Sequence, residues 1–252
     1  MRFNVYNPKA KEKCLCTRPE HSVWLALPNI TDDLIGQFWN WSVSITNNPV
    51  SGHCWSGTSA DGTVLFLMDP VDASPGGAIA TLQQSCPGKL VNIQGILIPL
   101  WVAWADTNEH PTLSGGNLGL CAKGEYNVGN VVAQVTVNNV VVASVTATLT
   151  RTAGNPNDDP PQPVTVNITQ TNVTQYTTAG NFILHIPTGS IKPGVTPGTD
   201  PHSASDGFWV MLDPAQVNGP VSYRVTVTPP PLGLREVDFP NGFGIVTITY
   251  TF

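Results

Sequence analysis

Three side chains that can hold a metal ion or transfer protons lie close together in the sequence ADTNEHP. Asp106, Glu109 and His110 fall within five positions, directly after an apolar run. Carboxylates beside an imidazole suit both metal binding and general acid–base catalysis. So local a cluster is more often a polar loop, because such side chains rarely converge without a helix to align them. We therefore hypothesise a metal-dependent hydrolase site here, with an ordinary loop as the favoured alternative.

Aromatic rings form a second candidate site, in the sequence GQFWNWSVSITNNPV at 36–50. Residues 34–45 fit a helical spacing and a strand alternation equally well. A cap at Thr31 or Asp32 and an acidic first turn favour a helix that runs to about Trp41. On that helix Phe38 and Trp41 share the core-facing side. Trp39 lies beside this stripe, so it is the ring that we expect to meet a ligand or a partner.

Trp209, in the sequence DGFWVML, has two interpretations. Its ring could line a binding pocket, and we keep it as a candidate binding residue. An aromatic residue on a strand more commonly packs in the core of a sandwich. The preceding sequence DPHSASDG offers oxygen ligands for calcium but lacks the spacing of a calcium loop. A turn is therefore the favoured interpretation and no cofactor is expected, with calcium kept as the alternative.

The cysteines indicate an oxidising compartment. An odd number of cysteines in a chain with few charged residues predicts one or two disulfides and a remaining thiol. The sequence does not fix which cysteines pair; the preferred pairing joins Cys54 to Cys86 and Cys121 to Cys14 or Cys16. No signal peptide is visible, yet we expect an extracellular or cell-surface protein. The four N-glycosylation motifs, compatible with a glycoprotein, begin at Asn29, Asn40, Asn167 and Asn172.

Composition favours strands and excludes some functions. Only 11% of the residues are charged, against roughly a quarter in ordinary soluble domains. The net charge of −6 argues against nucleic-acid binding, unless a basic N-terminal arm at 1–20 has that function. The apolar run at 90–105 is too short and too interrupted to cross a membrane.

The sequence predicts that the candidate site residues are positioned by short strands separated by turns. Asn138 and Asn139 separate two β-branched runs, which predicts a tight hairpin. The last strand reaches Phe252 and would form a sheet edge unless it is covered. We predict a mainly β fold, an antiparallel β-sandwich or jelly-roll-like domain with one short N-terminal amphipathic helix. This single domain spans 21–252, with long loops near 152–163 and 187–205.

An ordered set of motifs resembles an uncharacterised family of secreted, β-rich proteins of soil bacteria and ammonia-oxidising archaea. The motifs span about 32–252, and their order carries the resemblance. In chain order they are Trp39-x-Trp41, Asn48-Pro49, Gly52-His53-Cys54, Gly62-x-Val64-x-Phe66-Leu67, Cys86-Pro87-Gly88-Lys89, Pro99-Leu100, Arg151, Asp206-Gly207-Phe208-Trp209-Val210-x-Leu212 and TITYTF.

The resemblance implies secretion, a Cys54–Cys86 bridge, a tryptophan-rich helix and the β fold, but no catalytic residues. The chain departs from the family at Gln84 and Ser85, where an arginine is typical, and in a longer segment at 152–180.

Three functions follow, in order of preference. The first is an extracellular structural or self-assembling surface protein without catalytic activity, such as a filament, layer or coat subunit, whose partner is a copy of itself or another surface protein. The second is a secreted module that binds a carbohydrate or small ligand through its tryptophans. The third is the metal-dependent hydrolase built on Asp106, Glu109 and His110.

Overall fold

The computed structural model describes residues 26–70, 80–108, 110–125, 129–151, 164–192, 195–228 and 245–252. The predicted arm at 1–20 and the predicted loop at 152–163 lie outside these ranges. The helices are α1 (Asp32–Val43) and α2 (Gly116–Glu125), with one 3-10 turn at Pro214–Gln216. The strands are β1 (Ser56–Thr58), β2 (Val64–Leu67), β3 (Ala80–Ser85), β4 (Gly95–Asp106), β5 (Gly129–Val137), β6 (Val140–Arg151), β7 (Val164–Thr171), β8 (Thr174–Thr177), β9 (Phe182–Ile186), β10 (Gly198–Leu212), β11 (Val221–Thr228) and β12 (Ile245–Thr251).

The strands form two six-stranded sheets, which confirms the mainly β fold. The first sheet has the order β1-β2-β4-β10-β8, and β9 pairs with the beginning of β10. The second sheet has the order β3-β12-β11-β5-β6-β7. Each sheet is mixed, because β2 pairs with β4 in parallel and β3 pairs with β12 in parallel. The predicted antiparallel arrangement holds for the other pairs.

The first sheet is buried on both faces, and this explains its apolar sequence. One face packs on the second sheet, in a core where Ile98 and Phe208 meet Val225 and Ile248. The other face is covered by α1. A strand buried on both sides has no polar alternation. All four residues of β2 are accordingly buried, and β4 reads as one continuous apolar run.

Helix α1 is confirmed at its predicted position. The hydroxyl of Thr31 accepts a hydrogen bond from the backbone N–H of Leu34 at 3.2 Å, so Thr31 caps the helix. The hairpin at Asn138 and Asn139 is also confirmed, with φ angles of 49° and 66°. Two successive positive φ angles belong to the tight turn whose twist matches the flanking strands.

Helix α2 was not predicted. Its sequence GNLGLCAKGE has two internal glycines and no clear apolar stripe. Leu118, Cys121 and Ala122 nevertheless pack against Ala105 of β4 and Ala204 of β10. Tertiary packing therefore stabilises a helix that its intrinsic propensity does not favour.

The last strand is covered and is not a sheet edge, because β3 and β11 pair with β12 on either side. The predicted loop at 187–205 is too long, since β10 begins at Gly198 and pairs with β9. This error arises because the beginning of β10 carries loop-like residues such as Pro201.

Candidate functional site

The structure confirms one of the two predicted disulfides. Cys54 and Cys86 are bonded, with their Cα atoms 4.9 Å apart. Cys121 is a free, buried thiol on α2, so its predicted disulfide with Cys14 or Cys16 stays a prediction that the described residues do not support. Cys14 and Cys16 lie outside the described residues. A thiol enclosed in the core is not available for pairing with another chain.

The expectation that Trp39 is accessible is also wrong. Trp39 is 0% exposed, as are Phe38 and Trp209. Both rings pack on the first sheet: Phe38 packs on Trp209 of β10, and Trp39 packs on Trp104 of β4 with ring centroids 4.6 Å apart. Trp41, expected in the core, is only partly buried. Trp39 and Trp209 thus offer no surface platform to a glycan.

A cation from the chain itself occupies the face of Trp39. The ammonium nitrogen of Lys192 lies 4.9 Å from the Trp39 ring centroid and 5.8 Å from that of Trp104. Aromatic rings attract cations at such distances through their negative faces. The ring that we expected to meet a partner therefore meets Lys192, in the segment that follows β9.

Lys192 also forms a buried ion pair with Asp69, which follows β2. Lys192 Nζ donates to Asp69 Oδ2 at 3.0 Å, and the two side chains are 1% and 2% exposed. The backbone N–H of Ile191 donates to the carbonyl of Ile45 at 2.9 Å and fixes the segment beside α1. Sequence reasoning missed this pair because 123 residues separate its members, and Lys192 lies in a segment read as a loop.

Asp106 and His110 are close to one another but do not form an open site. Both side chains are buried, and the N–H of His110 donates to the carbonyl of Asp106 at 2.9 Å. Glu109 lies outside the described residues. Within the described part of the chain, no group of three histidine, cysteine or acidic side chains is placed to hold a metal ion. The hydrolase site stays a prediction, without an assembled triad to support it.

The side chain of Asp106 forms a hydrogen bond with the carboxyl group of Asp200, at the beginning of β10. Burial raises the pKa of Asp200, but hydrogen bonds outweigh it and lower the pKa below its usual value. The donors are the N–H groups of His202 and Asn108, the hydroxyl of Thr107 and the side chain of Asp106. The first three of these bonds are each 2.9 Å long. This cluster joins the end of β4 to the beginning of β10, so its geometry is that of a structural clamp.

The carboxylates of the sequence DPHSASDG are engaged by protein donors. Asp200 accepts the hydrogen bonds described above. Asp206 Oδ2 accepts a hydrogen bond from the hydroxyl of Thr177 at 2.6 Å. Both side chains are fully buried. Calcium at this segment stays a prediction that these contacts do not favour.

A cleft of about 570 Å³ lies at one end of the second sheet. The described residues that line it are mostly apolar and include no ionisable side chain: Gly88, Leu90, Val91, Val217, Asn218, Gly219, Pro220, Thr251 and Phe252. Without such a group the cleft walls cannot supply a general acid or base.

Strand β7 is the last strand of the second sheet, and no described strand pairs with it on the side away from β6. It pairs with β6 without a register shift from Val164 to Thr171. Among the described residues, none bonds to the backbone of 167–171 on the side away from β6. An edge strand of this kind presents N–H and C=O groups that a further strand can pair with.

No described helix is long and apolar enough to cross a membrane. Comparison with protein-family models, curated proteins and solved structures found no match to the chain. The resemblance to the secreted β-rich family therefore stays a prediction.

Proposed function

We propose that the chain is an extracellular structural subunit without catalytic activity, which assembles with copies of itself by pairing β7 of one copy with β7 of the next. The observation that carries this proposal is the uncharged edge of β7, which the described residues leave open. Two identical strands related by a two-fold axis pair antiparallel and form an isologous interface. Such a contact would join two six-stranded second sheets into one continuous sheet.

The composition of β7 supports this pairing. Its sequence VTVNITQT contains neither a charged residue nor a proline. Charges, prolines and bulges are the features that natural edge strands use to avoid pairing with another chain. Their absence from this sequence means that β7 carries none of these features to prevent a further strand from pairing with it.

The treatment of the other edges supports the same conclusion. β3 is bonded on its free side by the 51–53 segment, where Gly52 N–H donates to the carbonyl of Gln83 at 2.8 Å. The side chain of Asn40 bonds to both Ile183 and His185 of β9. α2 packs against β8 at Thr177, and β1 is only three residues long. β7 is the long edge that the described residues leave unprotected.

The charge-poor surface and the disulfide are compatible with this function. Only 11% of all residues are charged, so little repulsion opposes the approach of a second copy. The Cys54–Cys86 bond is of a kind that persists in oxidising, extracellular environments. Neither feature names a ligand or a reaction.

Light scattering after size-exclusion chromatography tests the proposal. We expect the wild-type protein to form dimers or larger species as its concentration rises. Thr169→Lys adds a charge to the open edge of both copies and should raise the dissociation constant about tenfold or more. Val132→Lys is the matched control, because Val132 is 42% exposed and lies two strands inward on the same cross-strand row.

Two results would count against the proposal. One is a wild-type protein that stays monomeric at every concentration. The other is an equal effect of Thr169→Lys and Val132→Lys, which would place the interface away from β7.

A further inference from the structure

We propose that the side chains of Lys192 and Asp69 join in an intramolecular amide bond, which ties the segment after β9 covalently to the end of β2. The two groups already have the required contact, with Lys192 Nζ 3.0 Å from Asp69 Oδ2. This proposal does not depend on the assembly function, because it concerns contacts within one chain.

Burial of both side chains favours the neutral amine and the neutral acid, which are the forms that react. Lys192 and Asp69 are almost fully removed from water, at 1% and 2% exposure. Separated charges are costly in such surroundings, and proton transfer from the ammonium to the carboxylate gives a neutral amine and a neutral acid. A neutral amine is the nucleophile that amide formation needs.

The reaction balances without a cofactor. The lone pair of Lys192 Nζ attacks Cγ of Asp69, and a C–N bond forms. The C–O bond to the acid hydroxyl then breaks, and the hydroxyl leaves as water with a proton from the nitrogen. No oxidant or reductant is needed, since one water molecule is the only other product.

The two tryptophans provide the environment for this step. The nitrogen carries positive charge when it attacks the carbon, and the faces of Trp39 and Trp104 lie 4.9 Å and 5.8 Å from Nζ. Their negative faces stabilise positive charge on this nitrogen, both in the starting ammonium and during the attack. The rings also exclude bulk water, which would otherwise favour the free ions and reverse the condensation.

The position of the Lys192–Asp69 pair in the fold favours a cross-link within the chain. It does not favour a site that reacts with external substrates. Ile191 is bonded to the carbonyl of Ile45, and Asp69 directly follows the buried residue Met68. Nucleophile and acid are therefore presented to each other by fixed backbone. Amide formation would hold the segment after β9 against the first sheet even where the surrounding hydrogen bonds open.

The mass of the intact, reduced and denatured wild-type protein tests the proposal. We expect a mass lower than the sequence mass by one water molecule, and a protease digest in which the peptide containing Asp69 is joined to the peptide containing Lys192. A full sequence mass, with the two peptides recovered separately, would overturn it.

Two variants assign the loss of water to this pair. Lys192→Arg keeps the positive charge, but a guanidinium stays protonated and does not act as the nucleophile. Its chain should show the full mass, whereas Lys89→Arg, at an exposed lysine, should still lack one water. A Lys192→Arg chain that lacks the water would contradict the assignment. Because masses are measured on denatured chains, the comparison holds even if a variant is unstable.

Discussion

At the scale of single residues, the side-chain carboxamide of Asn40 forms hydrogen bonds with β9 at an edge of the first sheet. Asn40 Nδ2 donates to the carbonyl of Ile183 at 2.7 Å and to that of Gly36 at 3.0 Å. Its Oδ1 accepts from the N–H of His185 at 2.9 Å. The side chain thus bonds to β9 much as a neighbouring strand would. Asn40 also begins an N-glycosylation motif, but both its N–H groups are already donated.

Replacing Asn40 should weaken the attachment of β9 to α1. We expect Asn40→Ala to lower the free energy of unfolding by about 2 kcal/mol, because it leaves backbone groups of β9 without partners. Asn29→Ala is the control, since Asn29 is exposed and begins a similar motif. Chemical denaturation measures the difference, and equal effects of the two variants would contradict the account.

Glycopeptide mapping gives a second test of the same residue. We expect Asn40 to be unmodified in protein secreted from a glycosylating host, because attachment of a glycan would break a bond to β9. A glycan found on Asn40 would show that the carboxamide is not held as described.

The stabilising effect of the Cys54–Cys86 disulfide follows from the number of residues between the two cysteines. The bond spans a sequence separation of 32 residues, which corresponds to about 3–4 kcal/mol through reduced freedom of the unfolded chain. Cys86→Ala should lose about this much, whereas Cys121→Ala should lose about 1 kcal/mol, since it only shortens a buried side chain. Thermal unfolding with and without reductant checks both; an equal loss in the two variants would be inconsistent with this assignment.

At the scale of elements, local signals were predictable and distant pairings were not. Thr31 identified the beginning of α1, and Asn138-Asn139 identified the hairpin, because each signal lies within a few residues of the feature it specifies. α2 and the Lys192–Asp69 pair depend on contacts across the fold, which no local pattern encodes. Trp39 was misplaced because the sequence shows one apolar stripe but not that Trp104 of β4 and Lys192 cover the Trp39 ring beside that stripe.

The beginning of α1 is joined to β8 by a bond that depends on pH. Tyr176 Oη donates to Asp32 Oδ1 at 2.7 Å, and burial together with this carboxylate raises the pKa of Tyr176 to about 12. Its usual value is about 10. A raised pKa means that the protonated phenol stabilises the fold below pH ~10, and that this contribution disappears as the pH rises through about 12.

Removing the Tyr176 hydroxyl should remove the pH-dependent contribution of this hydrogen bond to the free energy of unfolding. We expect Tyr176→Phe to lower the free energy of unfolding by about 1 kcal/mol at neutral pH, because a partly exposed bond to a carboxylate is lost. Between pH 10 and 12 the difference from wild type should shrink. Urea denaturation at several pH values measures it, and a difference that stays constant up to pH 12 would contradict the assigned pKa.

At the scale of the whole molecule, the fold protects its edges unequally. Two six-stranded sheets enclose one core, and α1 covers the outer face of the first sheet. Short length, side-chain bonds, a helix or a bonded backbone segment protect the edges at β1, β9, β8 and β3, whereas the described residues leave the uncharged strand β7 without such protection. A protein that acts through an open edge needs no exposed catalytic group, and the buried acids and tryptophans are consistent with that function.

Hydrogen–deuterium exchange in β7 tests the assembly most directly. If β7 pairs with a second copy, its outward-facing amides should exchange more slowly as the protein concentration rises, while exchange in the already paired β12 should stay the same. Exchange in β7 that does not change from dilute to concentrated protein would contradict the account.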